Sequence, residues 1–396
     1  MRSGRAITIL IPAAIAVAVG AARAGAQPAC DPLPPPSGAV IEVTPGQAGS
    51  LAGIVAGAAG GTTILLRNGT YDLSGGDAAS RLAFATPGVT LRSASGNRDA
   101  VVLDAAYETN ELISIYASQV TIADLTLKRA FDHPIHVSGG AGQPISGVLI
   151  HNVHIIDPGQ QAIKVNPVAD GYVDQGTVEC SRIELTDAGR RQIRDSCYTG
   201  GIDVHQTRGW VVRRNRIEGF WCNDGLSEHG IHFWRGCRDT RVEENVIVDC
   251  ARGIGFGLGA GGDGRTYPDD PYPGIGYLGH IDGIIRNNFI AAADARLFAS
   301  PDGFDTGIGL EQARGTEEVH NTVASTQTPL SSSIEWRFGN TLVAVSNNLV
   351  SHRLLPREGA QATRVGNLEH APLAWFSDVA SGDSPPPPPT SAIPCG

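Results

Sequence analysis

The chain carries no excess of basic residues: 30 Lys and Arg stand against 40 Asp and Glu, for a net charge of -10. That balance argues against DNA, RNA or an anionic membrane surface as the main partner, because each is held chiefly by positive charge. It leaves room for an anionic sugar polymer, since a local cleft can oppose the global charge. After the first 20 residues no apolar run is long enough to cross a bilayer. Nor is any stretch long enough for a regular set of crossover helices, which sets aside a doubly wound α/β fold. None of the seven cysteines sits in a Cys-x-x-Cys pair, and no zinc-type ligand spacing occurs among them. Methionine is nearly missing, whereas glycine, at 50 residues, is abundant enough for many tight turns.

The ends differ from the body. Basic residues, an apolar run from Ile7 to Val19 and the small residues around Ala24 and Ala26 read as a secretory signal peptide over residues 1–26. The product is expected outside the cell or in the periplasm, as a monomer, where disulfides are permitted. Cys30 and Cys395 flank the body and would tie its ends together, and the five middle cysteines suit pairs between neighbouring turns. Residues 38–380 read as one domain. Residues 381–396, with their proline run, read as a polyproline II spacer.

Within the body, Ile163-Lys164-Val165-Asn166, Ile202-Asp203-Val204-His205 and Ile231-His232-Phe233-Trp234 share one alternation of apolar and polar or aromatic residues. Similar strings occur at Ile135-His136-Val137, Ile254-Gly255-Phe256, Ile308-Gly309-Leu310-Glu311 and Ile334-Glu335-Trp336-Arg337. Short alternating strands at a solenoid-like period predict an all-β fold, a parallel β-helix. Residues 50–59 look like a short helix that caps its first coil, where an open end would expose core and strand edges. A parallel series of strings places Asn152, Asn215, Asn245, Asn288, Asn321 and Asn347 at coil corners, since Asn tolerates left-handed backbone and its amide bonds to neighbouring peptides. Two segments break the rhythm, 187–199 and 259–280, and such inserts commonly border a binding site.

With Ile163 and Val165 inward, Lys164 and Asn166 point outward, and the same phase exposes Asp203, His205, His232 and Trp234. Stacked strands lie about 4.8 Å apart, so Lys164, Asp203 and His232 become successive rungs, with Asn166, His205 and Trp234 in the adjoining file. A cation, an acid, two imidazoles and an indole in one patch suit an acidic polysaccharide. Cleaving a uronate by β-elimination requires a neutralised sugar carboxylate, a base for the C5 proton and an acid for the leaving oxygen. Lys164, His232 or His205 can serve as base, with Asp203 orienting a His. Arg190, Arg191 or Arg235 would clamp the sugar carboxylate. Trp234 and Trp221 would stack on a ring, and Glu228, His229, Glu311 and Arg337 would extend the binding surface. Asp203, Asp224 and Glu228 are oxygen donors able to hold Ca²⁺. His133, His136, His151 and His154 read as structural or surface residues.

Other chemistries stay open. Hydrolysis needs paired carboxylates, about 5–5.5 Å apart for retention or 6.5–9.5 Å for inversion. Asp203 with Asp224 or Glu228, or Glu311 with Glu335, would be such pairs. A C5 epimerase would use the same proton abstraction, and a non-catalytic solenoid would only retain a glycan.

Ile41-Glu42-Val43-Thr44, the stretch Gly60-Gly61-Thr62-Thr63-Ile64-Leu65-Leu66-Arg67-Asn68-Gly69-Thr70-Tyr71, Val89-Thr90-Leu91-Arg92-Ser93 and Val101-Val102-Leu103-Asp104 resemble the N-terminal signature of the chondroitinase-B/alginate-lyase-like group. That group belongs to the right-handed parallel β-helix superfamily of carbohydrate-active proteins. The resemblance spans residues 40–370 and implies a lyase with a Lys base, for which Lys164 is the counterpart, an Arg acid and a Ca²⁺ held by Asn and Glu. No motif here matches the acidic calcium ligands or the Arg.

Overall fold

The structure, a computed structural model, describes residues 30–194, 196–376 and 378–382. The expected signal peptide, Cys395 and most of the proline-rich tail lie outside the described residues. The chain coils into a right-handed parallel β-helix of three long parallel sheets, one with 14 strands and two with 10. One 10-stranded sheet, here the site sheet, stacks in chain order Ile135–Val137, Gln161–Val165, Gly200–His205, His229–Trp234, Arg252–Phe256, Thr306–Glu311 and Ser332–Arg337.

The alternation fixes the register. Ile163, Ile202, Ile231, Ile254, Ile308 and Ile334 lie opposite one another and are fully buried in one continuous core. A one-residue slip would turn this whole file to the outside, so burial pins the phase. A helix over Ala48–Ala56 buries Ala48, Leu51 and Val55 and packs against Leu82–Phe84, covering the first coil as expected.

The corner asparagines form a ladder. The Asn215, Asn245, Asn288 and Asn321 side-chain amides each donate to the Oδ1 of the next, at 3.0, 2.9, 3.0 and 3.4 Å. The same oxygens accept backbone N–H groups of the preceding coil. Two expected members are corrected. Asn348 rather than Asn347 continues the ladder, and Asn152 is outside it, donating to Asp124 instead. Asn152 and Asn347 occupy the preceding corner position, where φ is positive (50° and 55°). Left-handed tolerance, not laddering, explains their side chains.

Cys30 pairs with Cys180, not with Cys395, and Cys197 pairs with Cys222. Cys237 and Cys250 are buried thiols. No helix among the described residues is long and apolar enough to cross a membrane.

Candidate functional site

The stacked strands put Lys164 opposite Asp203 and Asp203 opposite His232, with His205 opposite Trp234. The file is the predicted one, but its environment is not. Lys164, Asp203 and His232 are only 7%, 3% and 0% exposed. Strand alternation alone predicts them open to solvent. They do lie on the outer side of the sheet, yet Tyr198 and Trp234 fold over them. Tyr198 belongs to the 187–199 insert, which the Cys197–Cys222 disulfide anchors beside the strand entry.

Lys164 Nζ donates to Asp203 and, at 3.2 Å, to the Tyr198 hydroxyl. Asp203 Oδ2 also faces His205 Nε2 at 3.1 Å, and Oδ1 accepts the Trp234 indole N–H at 3.1 Å. Oδ1 lies 3.5 Å from His232 Nδ1, which is equally far from Glu228 Oε2. Arg252 closes the series 3.6 Å from Glu228. Lys164, Asp203, His232, Glu228 and Arg252 thus form a chain of alternating charge across successive rungs.

Each neighbour sets the ionisation of the next. Burial alone would lower the Lys164 pKa; the charge of Asp203, with Tyr198, outweighs it and moves it up. Burial would raise Asp203, but the His205 hydrogen bond, the neighbouring His232 and the Lys164 charge hold it well below the usual carboxylate range. Burial would also lower His232, yet Asp203 and Glu228 lift it to about 9. His205 is lowered, chiefly by burial, with Lys164 adding to the effect. His229 is lowered strongly, by burial and then by Arg252. For Glu228, burial opposes but His232 and Arg252 prevail, keeping it low.

The other expected residues separate into groups. Asn166 accepts from His136 Nε2 at 2.6 Å, and His136 also bonds Glu111. His136 therefore extends the Lys164 file by a rung, although it read as a structural or surface residue. Trp234 stacks on His232, the rings nearly parallel at 4° with centroids 5.5 Å apart, and meets His205 edge to face. Arg235 sits 5.7 Å from the Trp234 ring and donates to the Asp263 carbonyl. Arg190 is not in the patch. It lies over the buried Trp221 at 3.7 Å and donates to the Gly219 and Trp221 carbonyls, so both side chains brace the insert instead of facing a ligand. Arg191 and Asp224 are exposed. Glu311 pairs with Arg337 at 3.1 Å and Glu335 with Arg357 at 3.0 Å.

Two outward positions hold no side chain. Gly255 and Gly309 continue the file after His232. The His229 ring stands over Gly255, where a Cβ would meet its Nε2 at 2.6 Å. Beyond it a cavity of about 260 Å³ opens, lined by His229, Arg252, Gly309, Glu311, Glu335 and Arg337. The glycines in Ile254-Gly255-Phe256 and Ile308-Gly309-Leu310 were the sequence signal for this notch. Tyr198 had no such signal, because it lies outside the alternating pattern.

The calcium expectation does not fit these donors. Asp203 has both oxygens engaged, Asp224 is exposed, and Glu228 faces imidazoles, whereas Ca²⁺ takes six to eight oxygens.

No protein-family model and no curated protein matches the sequence. Solved structures do. An alginate lyase from Paenibacillus sp. str. FPU-7 is similar at 16% identity, over 82% of this chain and 99% of that one, with a TM-score of 0.55. The tailspike protein of E. coli bacteriophage HK620, in complex with a pentasaccharide, is similar at 12% identity, over 85% of this chain and 60% of that one, with a TM-score of 0.52. The chain shares a right-handed parallel β-helix fold with these two proteins. At these identities the likeness establishes fold, and within the β-helix the chemistry must be argued from Lys164 and its neighbours.

Proposed function

We propose that the protein is an exported lyase that cleaves a uronate-bearing polysaccharide by β-elimination. The observation that carries this reading is the buried Lys164 ammonium, held on the outer side of the β-helix between His205 and the 36% exposed Tyr198. A Lys164 kept charged by Asp203 is no base near neutral pH, so its part is electrostatic. His205 is the better base. His205 Nε2 lies 3.1 Å from Asp203 Oδ2 and 3.2 Å from the Lys164 ammonium; with the Nε2 hydrogen donated to Asp203, the Nδ1 lone pair takes the C5 proton. The C5–H electron pair then forms the C4–C5 double bond as the C4–O4 bond breaks. Tyr198 gives its proton to O4, and Lys164 stabilises the charge that builds on the phenol oxygen. Arg235, beside Trp234, would neutralise the sugar carboxylate. The two disulfides suit an oxidising compartment, consistent with export.

One observation favours a second reading. Burial raises the Glu335 carboxyl, in the cavity it shares with Glu311, which is the direction that a general acid for hydrolysis needs. Incubation with alginate, pectate, chondroitin and heparin-like polymers separates the two. Elimination yields an unsaturated product that absorbs in the near ultraviolet. New reducing ends without that absorbance would replace the lyase reading with hydrolysis, and retention with neither would reduce it to glycan binding.

A further inference from the structure

Three buried polar atoms beside the Lys164 cluster have no hydrogen-bond partner: Glu228 Oε2, His229 Nδ1 and His232 Nδ1. They point at one another. One ligand atom from each of the three residues lies within 4.8 Å of the others, and His232 Nδ1 is 3.5 Å and His229 Nδ1 4.0 Å from Glu228 Oε2. Leaving such atoms unpaired costs about 1–3 kcal/mol each, so their convergence calls for an occupant.

The surroundings specify its charge and type. His232 Nε2 lies 3.1 Å from the Gly257 carbonyl and donates to it. That bond puts a hydrogen on Nε2 and turns Nδ1 toward the Glu228 and Asp203 carboxylates, where a metal ion would take the place of an Nδ1 proton. Carbonyl-anchored imidazoles of this kind are the usual support of a metal-bound His. The His229 ring is fixed over Gly255, which has no side chain to displace it. A proton can serve His232 and one carboxylate but leaves His229 Nδ1 unserved, whereas a cation at the centre serves all three.

We propose that Glu228, His229 and His232 form a binding site for a divalent transition metal of the zinc type. Two imidazoles and one carboxylate are a common zinc donor set. Bonds near 2.1 Å in a tetrahedral shell put donors about 3.4 Å apart, so the site closes by small side-chain shifts. The second His-containing group, His151, Glu179 and Cys180, offers no comparable site, because Cys180 is in a disulfide and His151 is bonded to Glu179. The proposal is independent of the lyase reading, since binding is measured without substrate.

The test uses the full chain stripped with a chelator, then titrated with Zn²⁺ against a chromogenic competitor and with Co²⁺ followed by visible absorption. The expected result is one tightly bound ion per chain, a Co²⁺ spectrum of low-coordinate type, and no competition from excess Ca²⁺. His229→Ala should weaken Zn²⁺ binding at least 10-fold. Glu228→Gln, nearly isosteric, should do the same while keeping the wild-type circular dichroism, which covers the case in which the His variant fails to fold. Asp224→Ala, in the exposed part of the same turn, should bind as wild type. No stoichiometric binding by the wild type, or equal binding by folded Glu228→Gln, would overturn the site.

Discussion

The Lys164 ammonium and the Tyr198 hydroxyl lie 3.2 Å apart across 34 residues of chain. One is set by strand register and the other by a disulfide-anchored insert, so the buried charge chain meets solvent at a phenol. If that phenol is the acid, Tyr198→Phe should lower kcat by about 10²-fold or more and change KM little. The side chain is partly exposed and not in the core, so stability should shift by no more than about 0.5 kcal/mol. Product absorbance and thermal unfolding, measured on the same preparation, check both halves. Near-wild-type turnover would remove Tyr198 from the chemistry.

Asp203 holds two cations and an indole in place, and its removal should be felt as lost stability. Asp203→Asn leaves Lys164 buried and uncompensated, with an expected cost of about 3–5 kcal/mol in urea unfolding. The Arg67–Glu42 pair is a control with half-exposed partners, and Arg67→Ala should cost less than about 1 kcal/mol. Equal losses in the two variants would mean that the charge chain contributes no more than a surface ion pair.

The sequence exposes the strand phase and hides the cover. Alternation alone puts Lys164, Asp203 and His232 in one file, because a slip would bury charge and expose Ile163, Ile202 and Ile231. Whether that file is wet depends on Tyr198 and Trp234 crossing it, and no local periodicity encodes the path of an irregular insert. His136 shares the alternation of Ile163-Lys164-Val165, so its place on the preceding rung was readable. The pair Asn347-Asn348 was ambiguous for a different reason. Either Asn can take a corner, and only the three-dimensional stack shows that the second enters the ladder.

That ladder yields a sharp contrast. Asn245 Nδ2 donates to the Val212 carbonyl and Asn288 Oδ1, both at 2.9 Å, while its Oδ1 accepts from the Asn215 backbone and side chain. Asn245→Ala strands several buried groups and should cost about 3 kcal/mol or more. Asn347→Ala changes only a left-handed corner and should cost about 1 kcal/mol. Chemical denaturation midpoints of the two variants give the comparison, and a larger loss for Asn347→Ala would contradict the assignment.

Glu318 ties the ladder to pH. Its carboxyl is fully buried and accepts from the Asn321 and Asn348 amides at 2.7 Å. Burial raises its pKa from 4.5 to about 8, against the lowering effect of those amides. The folded state therefore holds a proton that the unfolded chain releases. Below the unfolded value both states are protonated and the contribution is complete. As pH rises from about 4.5 toward 8 it is lost progressively, and above 8 it is gone. The whole loss should be on the order of a few kcal/mol. Glu318→Gln cannot ionise and gives up one accepted hydrogen bond, so it should be less stable than wild type at pH 5. The two unfolding curves should converge, or cross, by pH 9. Parallel pH profiles for the two proteins would show that the carboxyl does not titrate in this range.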